Sequence, residues 1–264
     1  MVKLIEIRYW EYQTKSDKDA TILPGADLSL IYLYLLPDVS FIKCKKINIS
    51  IDEKLDNEYE IWDTGPVYTV WIRKPFYRYE NGLAEARINL LEDVHNAFLL
   101  LSEKKGWDKG IFEDAKKQII ENNFIFYIPL NPKLKSLNKQ KICARLVVLP
   151  HPEKYAYYVR FLKGEDFICD ILIYEGVPTF IYWKELFNSC KWISNNEFCV
   201  FSKEKSIIFK CFFEECKFKL EVETVNEKES KLLEVWDYRT DYKRRMELSN
   251  IDENHLRLLL GEDL

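Results

Sequence analysis

Glycine is scarce in this chain, and its few glycines build none of the familiar phosphate-binding loops. The 264 residues include only 8 glycines, and no two of them form a Gly-x-Gly pair. A loop that wraps a phosphate with backbone N–H groups needs glycines where a side chain would collide with the ligand. The sequence therefore argues against the common mononucleotide-binding and dinucleotide-binding loops.

The motifs of well-known catalytic centres are also missing. The chain has no Gly-x-Ser-x-Gly, His-Glu-x-x-His or Cys-x-x-Cys, and only 3 histidines are available as bases near neutral pH. His151-Pro152-Glu153 matches half of a zinc deaminase motif, but the Pro-Cys-x-x-Cys half does not occur. We interpret it as a turn between strands, and we assign no catalytic residue.

Two acid–histidine pairs and one group of cysteines are candidate metal ligands. Glu92 and His95, like Asp252 and His255, are three residues apart, which places both side chains on one helical face. A di-iron bundle needs two Glu-x-x-His motifs and two further glutamates, so we favour ordinary helix-surface residues. The spacing of three cysteines is not that of a zinc knuckle (Cys199, Cys211, Cys216). We predict no metal and no cofactor.

No long apolar run is present, and the amino terminus shows no export sequence. The longest apolar run, residues 28–36, is far shorter than the roughly 20 residues that span a bilayer. Charged residues interrupt the first ten residues at every second or third place, unlike a secretory leader. We therefore expect a cytoplasmic protein without a membrane partner, whose 7 cysteines are reduced thiols, mostly in the core.

The charge balance is mildly acidic. With 39 basic and 43 acidic residues the net charge is −4, which argues against a nucleic acid partner, since phosphate binding calls for a strongly basic face. Residues 131–145 are the exception, with five basic residues and no acidic one. The segment could contact an anion or a nucleic acid, but we favour a solvated connector between domains.

Hydrophobic spacing predicts two clear helices in the first half. A helix is expected over residues 83–105, with one stripe formed by Ala84, Ile88, Leu91, Val94, Phe98 and Leu101. A second helix is expected over residues 110–122, with Ile111, Ala115 and Ile119 in line. Residues 26–36 fit either a buried helix or a buried strand, because periodicity cannot separate the two in an apolar run.

The remaining patterns predict strands. A strand is expected over residues 2–11, another within 39–51, and a hairpin from residues 59–63 and 67–72 around Thr64-Gly65-Pro66. Farther along, short polar turns separate residues 155–162 from 167–174 and residues 198–201 from 207–213, as in antiparallel hairpins. Residues 217–223 alternate, with Phe218, Leu220 and Val222 inward.

These elements predict an α+β protein. We expect a mixed N-terminal α/β portion with two helices, then an antiparallel β-meander, and C-terminal helices at about residues 229–238 and 252–260. The predicted division is residues 1–130, a basic connector at 131–145, and residues 146–264, with one continuous domain as the alternative.

One surface combines carboxylates with aromatic rings. An acidic stretch leads into the first hairpin. Carboxylates attract a basic protein during encounter, and rigid Tyr and Trp rings provide contact area for it. The alternative is a solvated loop beside a strand whose rings are core. The residues predicted to bind a partner are Asp56, Glu58, Glu60, Trp62, Asp63, Tyr68, Trp71 and Tyr77.

The sequence therefore favours a non-enzymatic cytoplasmic protein that binds a protein with a basic surface. An immunity-type inhibitor that neutralises a protein toxin is the concrete form of this hypothesis. The alternative is a hydrolase or nuclease that uses acidic residues and one of the histidines His95, His151 and His255.

Overall fold

The computed structural model shows an α+β protein whose chain divides into two compact units. One unit comprises Met1–Ile128 with Pro150–Glu153, and the other comprises Pro129–Leu149 with Lys154–Leu264. The structure describes residues 6–11, 26–37, 42, 44–74, 83–135, 142–152, 154–176, 187–202 and 207–222. The expected C-terminal helices and Tyr77 lie outside these residues, and the expected division at residues 131–145 stays a prediction.

A four-stranded mixed sheet forms the first unit's framework. Its order is β1-β2-β4-β3, where β1 and β4 run parallel to β2, and β3 runs antiparallel to β4 at the edge of the sheet. The predicted hairpin is confirmed with its boundaries, since it consists of β3 and β4. The strands are β1 (Glu6–Glu11), β2 (Lys46–Ile51), β3 (Tyr59–Asp63) and β4 (Val67–Ile72).

Three helices accompany this sheet in the described part of the first unit. They are α1 (Ala26–Leu35), α2 (Leu83–Lys105) and α3 (Gly110–Glu121). The apolar run that fitted either element is thus a helix, because the parallel strands β1 and β2 need a crossover between them. Tyr32 of α1, Phe98 of α2 and Phe112 of α3 stack with ring centroids 5.0 and 4.7 Å apart and join the three helices.

The predicted stripe of α2 is right in its second half and wrong at its start. Leu91, Val94, Phe98 and Leu101 are buried, but Ala84 and Ile88 are exposed. Ala86 and Leu90 are buried in their place. The helix packs against the sheet strands and against α3, so its buried face is wider than one stripe and is centred differently. In α3, similarly, Phe112 rather than Ile111 is the fully buried residue.

The second unit is built on two sheets. The first has the order β5-β7-β8-β9, with β6 paired to β7. The predicted hairpin of β8 and β9 is confirmed, and its turn has Gly164 at a φ of +67°, where a side chain would be strained. The strands are β5 (Ile128–Pro129), β6 (Leu134–Lys135), β7 (Ile142–Pro150), β8 (Tyr155–Lys163) and β9 (Asp166–Gly176).

The second sheet is a sequential antiparallel meander in the order β10-β11-β12-β13. The expectation that Phe218 points inward is wrong, since 43% of it is exposed. Phe218 lies near the end of β13, whose one neighbour in the sheet among the described strands is β12. The strands are β10 (Ser189–Trp192), β11 (Glu197–Phe201), β12 (Ile207–Phe212) and β13 (Lys217–Val222).

Candidate protein-binding surface

The tight turn between β3 and β4 shapes the candidate surface. Gly65 adopts a φ of +82° and donates its N–H to Oδ1 of Asp63 at 2.8 Å, while the Thr64 hydroxyl donates to the carbonyl oxygen of Val67 at 3.0 Å. Glycine is the residue that takes this backbone conformation without strain. The turn fixes the register in which Glu60 lies opposite Trp71, and Trp62 lies opposite Thr69.

Trp62 is the most exposed aromatic ring of the hairpin, with 56% of its surface accessible. Its indole Nε1 donates to Oε2 of Glu60 at 3.3 Å, and its ring centroid lies 5.5 Å from that of Trp71. Glu60 in turn accepts from Nδ2 of Asn57 at 3.2 Å. The indole is therefore both exposed and held in one orientation.

Two exposed acidic residues precede Trp62 in the chain. Asp56 and Glu58 are both exposed, and their backbone carbonyls accept hydrogen bonds from Arg73 at 3.1 and 2.8 Å. These backbone bonds fasten the segment to the end of β4 and leave both carboxylates on the surface. We define the hairpin surface as Asp56, Glu58, Glu60 and Trp62.

Asp63 is engaged within the protein. Its carboxylate forms an ion pair with Lys105 at the carboxyl end of α2. The Lys105 hydrogen bond, followed by that from the Gly65 N–H, holds the pKa of Asp63 below its ordinary value. The same ammonium lies 4.6 Å from the ring centroid of Tyr68. Asp63 therefore links β3 to α2 and adds little to the negative charge of the surface.

The predicted residues are thus only partly brought together at the surface. Tyr68 is 6% exposed, and its ring lies 6.0 Å from that of Trp107 on the helical side of the sheet. Trp71 is half-buried beneath Trp62. Tyr59 is not among the predicted residues although 46% of it is exposed, and alternation along β3 places it on the opposite face from Trp62.

Two of the three histidines considered for catalysis, His95 and His151, lie within the described residues. His95 is 6% exposed, and its Nδ1 lies 3.2 Å from the hydroxyl of Tyr32. Burial, followed by the charge of Lys116, lowers the pKa of His95, so the ring stays neutral. His151 is half-buried between β7 and β8, and His255 falls outside the described residues.

In the part of the chain that the structure describes, no group of three or more His, Cys, Asp and Glu side chains is placed to hold a metal ion. Glu92, the partner of His95 in the predicted i, i+3 pair, instead forms an ion pair with Lys116 at 2.6 Å. Cys199 and Cys211 are buried and Cys216 is exposed, and all three are free thiols.

Comparisons with known proteins identify no relative. No family model, no curated protein and no solved structure matches the chain. Among the described residues, no helix is long and apolar enough to cross a membrane. The geometry of the chain's own residues is therefore the basis for a functional hypothesis.

Proposed function

We propose that this chain is a non-enzymatic cytoplasmic protein that binds a protein partner with a basic surface. The observation that carries the proposal is Trp62, an indole that is 56% exposed beside Glu60 on an edge strand. An immunity-type inhibitor that neutralises a protein toxin is the concrete form of this function. The hairpin surface is the proposed contact.

The aromatic part of the surface supports this proposal through its fixed geometry. Trp and Tyr are enriched among the residues that dominate binding energy at protein interfaces. The hydrogen bond to Glu60 and the packing on Trp71 restrict the indole before any partner arrives. Because binding a mobile side chain costs conformational entropy, a ring that is already ordered loses less on association.

The charge of the surface determines which partner fits. Asp56, Glu58 and Glu60 supply three carboxylates in the segment that leads to Trp62, while Lys105 neutralises Asp63. A partner that presents Arg or Lys side chains around an apolar pocket would complement this pattern. Charges at the rim of an interface mainly accelerate encounter, so we expect the association rate to decrease as the ionic strength increases.

Quantitative affinity capture with matched variants tests the proposal. Trp62→Ala removes the indole, and Phe167→Ala removes a ring that is 60% exposed on β9 of the other unit. We expect one protein to be captured stoichiometrically by the wild type and by Phe167→Ala, but at least about thirtyfold less by Trp62→Ala, as for an interface hot spot of about 2 kcal/mol.

A direct titration then separates the two contributions to binding. With the captured protein purified, Glu58→Gln and Glu60→Gln should lower the association rate and its salt dependence, while Trp62→Ala should raise the dissociation rate. Equal urea midpoints for all variants would show that the fold is intact. Identical capture by Trp62→Ala and the wild type, or no capture by the wild type, would contradict the proposal.

A further inference from the structure

Two cysteines of the second unit lie in direct contact, although 47 residues separate them in the chain. The Sγ atoms of Cys169 and Cys216 are 2.9 Å apart. Cys169 lies on β9, and Cys216 ends the turn that precedes β13. A disulfide bond measures about 2.05 Å, so a shift of roughly 0.9 Å would bring the two sulfur atoms to bonding distance.

The two strands that carry these residues are neighbours in the fold. β9 and β13 are in contact, although they belong to different sheets of the unit. Cys169 is held in register opposite Phe161 of β8, next to an irregularity in the β8–β9 pairing. Cys216 has a φ of +48°, a conformation that is uncommon for a residue with a side chain. Cys169 is therefore positioned by the β8–β9 pairing, and Cys216 is positioned by the turn before β13.

We propose that Cys169 and Cys216 form a reversible redox site, in which a peroxide oxidant converts the two thiols into a disulfide between β9 and the β12–β13 turn. The remaining cysteines provide a contrast within the same chain. Cys199 and Cys211 are buried in the meander, and Cys190 is half-buried and accepts from Nδ2 of Asn131 at 2.9 Å. In cells that keep thiols reduced, disulfides of this kind are usually transient and redox-sensing.

Accessibility assigns different roles to the two thiols. Cys216 is exposed, whereas Cys169 is half-buried. Burial, followed by the contact with Cys216, raises the pKa of Cys169 to about 12, so that this thiol stays protonated at neutral pH. The thiolate is the nucleophilic form of cysteine. Because Cys216 is exposed and Cys169 stays protonated, Cys216 is the residue that the oxidant meets first, and Cys169 is the resolving thiol.

The reaction balances in two steps. The Cys216 thiolate attacks one oxygen of hydrogen peroxide, the O–O bond breaks, and the products are a sulfenic acid and hydroxide, which takes up the proton released by Cys216. The Cys169 sulfur then attacks the sulfenic sulfur, the S–O bond breaks, and the Cys169 proton leaves with that oxygen as water. Overall, two thiols lose two electrons, and one peroxide becomes two waters. A dithiol reductant reverses the change by thiol–disulfide exchange.

Peptide mapping of the full chain tests this site. The reduced protein is treated with hydrogen peroxide, free thiols are alkylated under denaturing conditions, and the digest is analysed without reductant. We expect one cross-linked species in which the peptides of Cys169 and Cys216 have together lost two hydrogen atoms. The other five cysteines should remain alkylated, and dithiothreitol should restore both thiols.

Two single variants and one control distinguish a built site from random oxidation. In Cys169→Ser, the sulfenic acid of Cys216 has no resolving thiol, so we expect its labelling by dimedone to increase at least about tenfold, because proximity normally makes resolution fast. Cys216→Ser should prevent the cross-link, whereas Cys190→Ser should retain it.

The same measurements can overturn the proposal. It fails if Cys169 and Cys216 remain alkylated while other thiols oxidise, or if Cys216 pairs with a cysteine other than Cys169. It also fails if dimedone labels Cys216 equally in the wild type and in Cys169→Ser. Far-ultraviolet circular dichroism of each variant shows that folding is retained, so that a missing cross-link reports on the thiols.

Discussion

Tyr32 on α1 and His95 on α2 share a buried hydrogen bond of 3.2 Å between the phenol oxygen and Nδ1. The same hydroxyl donates to the backbone carbonyl of Phe112 on α3 at 3.1 Å. Burial raises the pKa of Tyr32, so the hydroxyl keeps its proton, and the His95 nitrogen is left to donate. One phenol oxygen therefore connects α1, α2 and α3.

Replacing Tyr32 by Phe should reveal the contribution of this connection. The change keeps the ring stack with Phe98 but leaves Nδ1 of His95 and the Phe112 carbonyl without their partner. We expect the free energy of unfolding to decrease by about 1–3 kcal/mol, the cost of unsatisfied buried polar groups. Urea unfolding measures it, with Tyr34→Phe, at a residue that is 46% exposed, as the control. Equal losses in both variants would contradict this assignment.

The protonation of His95 should make stability depend on pH. Its folded pKa lies below the ordinary value of 6.5 because of burial and of Lys116, with Glu92 and Glu113 acting in the opposite direction. Below pH 6.5 the unfolded chain therefore binds more protons than the folded protein. The free energy of unfolding should then fall as the pH falls through this range, by at most about 1.4 kcal/mol per pH unit from this group.

Urea unfolding between about pH 5.5 and 7.5 would check the His95 prediction. These limits lie about one pH unit on either side of the ordinary histidine pKa. Part of the slope should disappear in His95→Gln, which keeps polar atoms at the site but does not titrate. A direct readout is the imidazole titration followed by NMR. A slope that is the same in the variant and the wild type would show that another group causes the dependence.

The ion pair of Arg160 and Asp170 should contribute more than an exposed pair that also involves a residue of β9. The guanidinium donates twice to the carboxylate, from Nε at 2.8 Å and from Nη2 at 2.7 Å, across the β8–β9 ladder. We expect Asp170→Asn to lower the free energy of unfolding by about 1.5–3 kcal/mol, as for hydrogen bonds between charged groups.

Glu175 supplies the matched control for Asp170. It lies on the same strand and pairs with Lys154, but the two side chains are 40% and 55% exposed, so solvent screens the attraction. Glu175→Gln should therefore change the free energy of unfolding by less than about 1 kcal/mol. Equal effects of the two substitutions in urea unfolding would contradict the importance of the two-pronged geometry.

Local patterns predicted the elements whose signals lie within a few residues. The β3–β4 hairpin follows from two β-prone runs around Gly65, and the β8–β9 hairpin follows from the turn at Gly164. The ends of α2 also agree with the sequence. Such features depend on backbone conformation and side-chain period, which neighbouring residues determine. The Trp62 surface could be found for the same reason, since its parts are adjacent in the chain.

Long-range contacts could not be found in this way. The run of α1 was ambiguous because only its pairing environment distinguishes a buried helix from a buried strand. The start of β7 could not be found, since residues 142–145 fall in the predicted basic connector and the strand's own pattern shows no alternation. The buried pair of Asp27 and Arg87, at 2.7 Å, joins residues 60 positions apart, and no sequence period links them.

The disulfide proposed between Cys169 and Cys216 should stabilise the oxidised protein. Closing a chain segment of 47 residues removes conformational freedom from the unfolded state, and the entropy model gives about 4 kcal/mol for that length. Because native-state strain often reduces this gain, we expect the free energy of unfolding to increase by about 2–4 kcal/mol.

Urea unfolding of peroxide-treated and reduced samples checks this increase in stability. Cys169→Ser should show no gain after the same treatment, whereas Cys190→Ser should gain as much as the wild type. If peptide mapping shows the Cys169–Cys216 bond but stability is unchanged or reduced, then forming the bond distorts the contact between β9 and the β12–β13 turn. In that case oxidation would not stabilise the second unit, because the strain in the folded state would equal or exceed the stabilisation gained from the entropy removed from the unfolded chain.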